Sequence, residues 1–138
     1  MNLSENFTLN ELLRSDTANR MKIVEQYTPS QAVIENLRKL CVNVLQPLRN
    51  HLGRSIRVTS GFRCKRLNAH IGGARNSQHT EGKSADIEVD GMTNQDLMKV
   101  IIALNLPFDQ LINEYERNGW VHVSFDDKRN RKQVLKIG

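Results

Sequence analysis

Two stretches in which apolar and polar residues alternate, 84–89 and 120–125, most constrain what this chain can fold into. Alternation with a period of two is typical of strands that bury one face. The apolar residues are Ala85, Ile87 and Val89 in the first stretch and Val121, Val123 and Phe125 in the second. If the two strands are neighbours and bury these faces together, Asp86 and His122 lie on a common polar surface.

A third residue, His79, lies in the turn that leads into the first of these strands. With Asp86 and His122 it makes a set of two imidazoles and one carboxylate. Three protein ligands with a fourth position left for water are what a catalytic zinc site needs, and these ligand types suit Zn²⁺. Taken singly, each of the three is more often a surface histidine or a turn carboxylate, so the metal hypothesis depends on their sharing one face.

These residues also belong to a pattern that resembles a known family. The matching segments are Ser60-Gly61-Phe62-Arg63, Asn68, Gly72-Gly73, Asn76, Ser77-x-His79, Gly82, Ala85-Asp86 and Trp120-Val121-His122-Val123. They are similar to the zinc D-alanyl-D-alanine peptidases, which include DD-carboxypeptidases, D-Ala-D-Ala dipeptidases and L-alanyl-D-glutamate endolysins. The resemblance covers about residues 7–125. It implies a bound Zn²⁺ held by the two histidines and the aspartate, and a peptidoglycan peptide as substrate.

Three further side chains are candidates for substrate contacts. By resemblance, Arg63 contacts the substrate or the transition state, since its planar fork suits a carboxylate or an oxyanion. Ser77 matches a family position that contacts substrate, and Trp120 lies on the His122 face, where it can line a groove. The structural alternatives are a surface salt bridge for Arg63, a turn former for Ser77 and a shield over the metal for Trp120.

A zinc peptidase also needs a base that moves the proton of the attacking water to the leaving amine. Glu114 and Glu116 both precede His122. A three-residue hairpin loop over 117–119 predicts that Glu114 lies directly opposite His122, with Glu116 nearer the loop tip. A two-residue turn would instead set Tyr115 opposite His122. Because residues 110–114 also resemble the family's Gln-Leu-Ile-x-Glu pattern, Glu114 is the predicted base.

The whole chain is expected to form one α+β domain spanning residues 1–138. Helix signals come early and strands later, which predicts a small, mainly antiparallel sheet with helices packed on one face and the zinc site on the other. A capping box at Thr8 begins the first helix. Pro29 is expected at the first position of the main helix, and Pro47 is expected to kink or divide that helix. Cys41 is expected to be a buried free thiol, although a disulfide with Cys64 stays open.

Composition and charge limit the class of protein and its partners. The chain is 38% hydrophobic and 25% charged with a net charge of +5, and no apolar run is long enough for a membrane span. The charge suits an anionic polymer such as the cell wall, and the basic run 128–132 is expected to be a solvated tail. We expect no nucleic acid or membrane partner, and a monomer. The N-terminus does not resemble a signal peptide, so we expect synthesis in the cytoplasm and action on the wall after release, as in phage or prophage lysis.

The leading hypothesis is a zinc peptidase that cleaves a peptide bond involving a D-amino acid in peptidoglycan, endolysin-like or DD-carboxypeptidase-like. The alternatives are a non-catalytic zinc-binding module, since the hedgehog signalling domain shares this metal arrangement, and a cell-wall-binding module without a metal. Which peptide bond is cleaved stays open, although the short chain favours an endopeptidase.

Overall fold

The computed structural model describes all 138 residues and has the predicted α+β fold. The strands are β1 (Asn2–Ser4), β2 (Phe7–Thr8), β3 (Arg57–Ser60), β4 (Ser84–Glu88), β5 (Gln110–Glu114), β6 (Trp120–Ser124) and β7 (Gln133–Ile137). The α-helices are α1 (Leu9–Leu13), α2 (Asp16–Met21), α3 (Gln31–Leu40), α4 (Gln46–Leu52), α5 (Lys65–His70) and α6 (Asn94–Ala103). Short 3-10 helices cover Val24–Tyr27 and Gln78–Glu81. None of the helices has the length and apolar character needed to cross a bilayer.

The main sheet has five strands in the spatial order β3-β4-β6-β5-β7, and β1 pairs with β2 in a separate small sheet. The pairings β3-β4, β4-β6 and β5-β6 are antiparallel, and β5-β7 is parallel. The central pair β4-β6 sets Asp86 directly opposite His122, which places both on the common polar face that was predicted. Directly opposed residues share a face of the sheet, so both side chains lie on the same side.

One face of this central pair is buried in the hydrophobic core. Its members Ala85, Ile87, Val121 and Val123 are all 0% exposed. They belong to a cluster of 27 buried apolar residues that also includes the inner faces of α3, α4 and α6. The opposite face is polar, and it is also largely covered, so it forms the floor of a cleft rather than an open surface.

The main helical segment runs from α3 into α4 through a π-helical turn at Cys41–Leu45. Because Pro47 has no N–H and its ring crowds the carbonyl four residues earlier, the helix widens directly before it. The prediction for Pro29 is wrong: Ser30 is the N-cap, its side chain accepts from the Val33 amide, and Pro29 precedes the helix. Both cysteines are free, and burial raises the pKa of the Cys41 thiol to about 12.

The predicted register of the β5-β6 hairpin is wrong. Glu114 lies opposite Trp120, and Ile112 lies opposite His122. Residues 115–119 form a longer loop in which Tyr115 and Asn118 adopt left-handed conformations, with φ of 60° and 59°. The Tyr115 amide donates to the Ile137 carbonyl of β7 at 2.8 Å. This contact takes Tyr115 out of the pairing with β6, so a distant strand rather than the turn residues sets the register.

The prediction of a solvated tail over residues 128–132 is also wrong for its last part. Arg131 contacts the fully buried Asp109 through Nε and Nη2, at 2.8 and 3.0 Å. The Lys132 amide then donates to the Phe108 carbonyl and leads the chain into β7. The C-terminal segment therefore extends the sheet by one exposed parallel strand, which the sequence analysis does not predict.

Candidate metal centre and cleft

His79, Asp86 and His122 come together at the floor of the cleft. One potential ligand atom from each lies within 4.8 Å of the others, and the three residues are only 3%, 6% and 8% exposed. The Asp86 Oδ1 atom is 3.3 Å from His79 Nε2 and 3.1 Å from His122 Nδ1. The common polar face predicted from the two alternating stretches is therefore present in the structure.

The hydrogen bond made by His79 Nδ1, the ring nitrogen that faces away from Asp86, indicates whether His79, Asp86 and His122 fit a cation. His79 Nδ1 is 2.7 Å from the Gly61 carbonyl oxygen, which can only accept, so Nδ1 carries the proton. In a neutral imidazole, Nε2 then presents a lone pair to the Asp86 carboxylate, and two acceptors face each other. A cation between them removes this conflict, and a carbonyl that orients a ligating histidine is a common feature of metal sites. The donor set therefore fits Zn²⁺.

The Asp86 carboxylate is in its charged form at neutral pH. Burial raises the pKa of Asp86, but the hydrogen bonds and charges of His122 and His79 lower it by more, and the net pKa falls well below the usual range. A buried carboxylate that stays charged is suited to hold a cation.

A short 3-10 helix positions His79. Ser77 caps it, with its hydroxyl oxygen accepting from the His79 amide at 3.1 Å. Gly82 ends it with φ of 74°, and a Cβ there would lie 2.8 Å from the Val33 carbonyl oxygen. Glycine is thus required at this position both for the left-handed backbone and for the close approach to α3.

The loop before Arg63 is pressed against α1. A Cβ on Gly61 would lie 2.4 Å from the Leu12 carbonyl oxygen, so only glycine fits there. The Phe62 amide donates to that same oxygen at 2.8 Å, and the Arg63 amide donates to the His79 carbonyl at 3.1 Å. This loop therefore supplies both the acceptor for the His79 ring and the guanidinium beside the metal residues.

Arg63 is half-buried at the wall of the cleft. Its Nη1 atom is 3.4 Å from Asn68 Oδ1, and its buried Nε has no hydrogen-bond partner. Burial lowers the pKa of Arg63, and the charges of Asp86 and Glu114 raise it in part. A guanidinium stays protonated in proteins, so the cleft contains a cation without a carboxylate partner.

The two candidate glutamates lie in different places. Glu114 lines the cleft, on the same sheet face as His122 but two residues along the strand from the residue paired with it. Such diagonal neighbours are within reach of long side chains. Glu116 is exposed, and its carboxylate accepts from the Gln95 amide in the first turn of α6 at 3.2 Å. Only Glu114 is therefore placed to act on a group bound in the cleft.

The cleft has a volume of about 600 Å³. Besides the metal residues it is lined by Thr59, Ser60, Arg63, Ile71, Gly73, Ala74, Ser77, Glu114 and Trp120. The two predicted contact residues Ser77 and Trp120 are thus both present, although the Ser77 oxygen also serves as the helix cap. The buried indole nitrogen of Trp120 has no hydrogen-bond partner.

Two buried polar residues, Gln26 and Asp109, support the site without being evident from the sequence. Gln26 donates to the carbonyls of Leu13 and Phe62 and accepts from the Cys64 amide, all within 2.9 Å. It thereby ties the Arg63 loop to α1. Asp109 binds Arg131 and accepts from Gln78, the residue before His79, at 2.9 Å. Neither residue has a sequence signal, because an isolated glutamine or aspartate outside a periodic pattern is usually exposed.

Comparison with known proteins agrees with this geometry. No curated protein matches the chain. A family model described as Peptidase M15 matches residues 5–124, which include all the residues that line the cleft. The chain therefore belongs to the peptidase M15 family, a family of the zinc D-Ala-D-Ala carboxypeptidase type.

Proposed function

We propose that this protein is a zinc-dependent peptidase that cleaves a peptide bond involving a D-amino acid in peptidoglycan. The observation that most supports this function is the buried cluster of His79, Asp86 and His122 at the floor of a cleft that Arg63 and Glu114 also line. A metal-binding module without catalysis has no need of an unpaired guanidinium and a carboxylate beside its metal. In this proposal the protein is a monomer, its partner is a peptidoglycan peptide, and it acts on the cell wall after release.

His79 Nε2, Asp86 Oδ1 and His122 Nδ1 would hold the metal. When bound, Zn²⁺ lowers the pKa of a water towards about 7 and polarises a carbonyl group. With three protein ligands, a bound Zn²⁺ would keep a fourth position for water or substrate, as catalytic zinc sites do. Holding the metal is the only role proposed for His79, Asp86 and His122.

Glu114 is the proposed base. Its carboxylate takes a proton from the attacking water and passes it to the nitrogen of the leaving amine. Its position on the His122 face and at the wall of the cleft supports this role. Glu116 has no such role, because its carboxylate is directed to the α6 amides.

Arg63 is the proposed hydrogen-bond donor to negative charge on the substrate or the transition state. Its guanidinium donates either to the oxyanion that forms as the carbonyl is attacked or to a carboxylate of the substrate. The unpaired Nε and the weak Asn68 contact leave its donors available for such a group. Trp120 provides an apolar wall with one free N–H donor.

The direct test is incubation of the zinc-loaded protein with defined muropeptides, followed by identification of products by mass spectrometry. We expect cleavage at one type of bond, and loss of cleavage with a chelator or in Glu114→Gln. Stoichiometric zinc with no product from any muropeptide would identify a non-catalytic metal module. Absence of bound metal would identify a wall-binding module instead.

A further inference from the structure

The loop at residues 115–119 connects two residues of the cleft wall. Glu114 ends β5 and Trp120 begins β6, and the two are directly paired across the base of the loop. Both line the metal cleft. Each of them has a strand on one side along the chain and the loop on the other, so the place of both side chains depends on how the loop is held.

The backbone of this loop needs support from its surroundings. Tyr115 and Asn118 are both left-handed, with φ of 60° and 59°. A bulky residue such as tyrosine rarely adopts this conformation, and it persists only where neighbouring contacts impose it. Contacts with other elements therefore decide where the loop lies.

Asn94 supplies such contacts from α6. It is the first residue of this helix and is only 8% exposed. Its Nδ2 atom is 3.1 Å from the Trp120 carbonyl oxygen, 3.4 Å from the Tyr115 carbonyl oxygen and 3.1 Å from Asn113 Oδ1. Since Tyr115 directly follows β5 and Trp120 begins β6, one carboxamide bridges the two ends of the loop.

Strand β7 supports the loop from another side. The Tyr115 amide donates to the Ile137 carbonyl at 2.8 Å, and Gly138 lies against the Tyr115 ring. These contacts fix the β5 end of the loop. The Tyr115 ring meets the Trp120 ring edge-on, with 6.1 Å between the ring centroids. Asn94 is therefore the side chain that holds the backbone at both ends.

We propose that Asn94 is a positioning residue for the reaction, which fixes Trp120 and Glu114 at the cleft wall by bridging the ends of the loop. The inference rests on the proposed peptidase function and deepens it. Asn113, the third partner of Asn94, alternates with Glu114 along β5 and so lies on the α6 side of the sheet. Asn94 thus acts from behind the wall, through the backbone. A displacement of about 1 Å is enough to slow proton transfer by Glu114, because the base must stay within hydrogen-bond reach.

The fluorescence of Trp120 tests this role, because Trp120 is the single tryptophan of the chain and reports on the cleft wall alone. Quenching by acrylamide is measured on the zinc-loaded full-length protein well below its melting temperature, and it requires no hydrolysis. Asn94→Ala should raise the quenching constant about twofold, because local opening of the loop uncovers a half-buried indole. The same variant should lower kcat for muropeptide cleavage about tenfold while the zinc content stays the same.

Asn113→Ala is the matched control. It removes a buried carboxamide from the same place and one hydrogen bond of Asn94, but it leaves both loop carbonyls bridged. Quenching and kcat should stay near their wild-type values, even if the melting temperature falls. If Asn94→Ala does not fold, Asn94→Ser takes its place, since one hydroxyl cannot donate to both carbonyls.

Unchanged quenching in the Asn94 variant, or an equal rise in the Asn94 and Asn113 variants, would overturn the proposal, because Asn94 would then support only the fold. A selective rise in quenching with full kcat would overturn the link to the reaction. A selective rise without hydrolysis of any muropeptide by the wild type would support the positioning of the wall and refute the peptidase function. Hydrolysis by the wild type with unchanged quenching in the Asn94 variant would do the reverse.

Discussion

The floor and the walls of the cleft are built in different ways. The floor residues His79, Asp86 and His122 are at most 8% exposed, and they are held by the central β4-β6 pairing and a capped 3-10 helix. The wall residues Arg63 and Glu114 are partly exposed, and each lies where a regular element gives way to a loop. The floor is thus a product of the core, whereas the walls depend on loops around it.

This difference predicts two kinds of mutant. A change in the floor removes a ligand from a buried set and leaves the remaining groups unsatisfied, so it should eliminate metal binding. A change in the walls should alter rate or substrate affinity while metal content and fold stay the same. A wall variant that lost its zinc, or a floor variant that kept it, would show that the floor and the walls do not act separately.

The largest effect is expected at the floor. His79→Ala or His122→Ala should abolish stoichiometric zinc binding and with it all peptidase activity, as measured by elemental analysis and muropeptide digestion. His70→Ala is the control, since His70 is exposed at the end of α5 and lies outside the cluster. A His79 or His122 variant that retained one zinc per chain would contradict the assignment.

The next effect is expected for Glu114→Gln, which should lower kcat roughly a hundredfold or more, the usual scale for a general base. Zinc content and melting temperature should be unchanged, because the side chain is at the wall. Glu116→Gln is the matched control and should keep nearly full activity. If Glu116→Gln is the inactive variant and Glu114→Gln is active, the loop at 115–119 has a different conformation in solution.

A smaller loss is expected for Arg63→Lys, which keeps the charge but loses the planar fork. Loss of a charge-assisted hydrogen bond predicts a decrease of kcat/KM of roughly tenfold or more, with almost no change of melting temperature. Arg66→Lys, whose exposed ion pair with Glu25 is worth little, serves as the control. Unchanged kcat/KM in Arg63→Lys would refute its role.

The smallest effect is expected at Asp109, which contacts Gln78 beside His79. Asp109 is held in turn by Arg131, which lies outside the family match over residues 5–124. The hydrogen bond from Arg131 lowers the pKa of Asp109 from 3.8 to about 2. That shift corresponds to at most roughly 2 kcal/mol, because Arg131 is partly exposed to solvent. The stabilisation is present above about pH 4 and is lost as the pH falls towards 2.

Asp109→Asn should therefore lower the free energy of unfolding at pH 7, and the difference from the wild type should shrink near pH 2. Urea denaturation at the two pH values measures this change. Asp127→Asn, in which an exposed ion pair with Lys39 is removed, is the control and should have little effect at either pH. A difference that stayed constant with pH would show that the carboxylate charge is not what stabilises this contact.

The common face of Asp86 and His122 could be predicted because alternation is a local property, although the pairing of their two strands had to be assumed. Two adjacent strands that each bury every second residue leave only the opposite face for these two side chains. The sequence predicts the correct face for Glu114 but not the correct partner, since a slip of two residues along the strand keeps the face. The actual register depends on contacts of the 115–119 loop with β7 and α6, which no local pattern contains.

The buried polar supports could not be predicted for a related reason. Gln26 is buried because three backbone groups distant in sequence satisfy its amide, and Asp109 is buried because Arg131 and Gln78 both donate to its carboxylate. A sequence indicates which residues are polar but not which partners reach them. Such residues can be found only once the fold is known.

His79, Asp86 and His122 are proposed to form one zinc site at the floor of the cleft. Crystals of the protein soaked in zinc, measured on both sides of the zinc absorption edge, test it most directly. We expect a single anomalous peak per chain, enclosed by His79 Nε2, Asp86 Oδ1 and His122 Nδ1. A peak elsewhere, for example at His51 or His70, or no peak at the floor of the cleft, would contradict it.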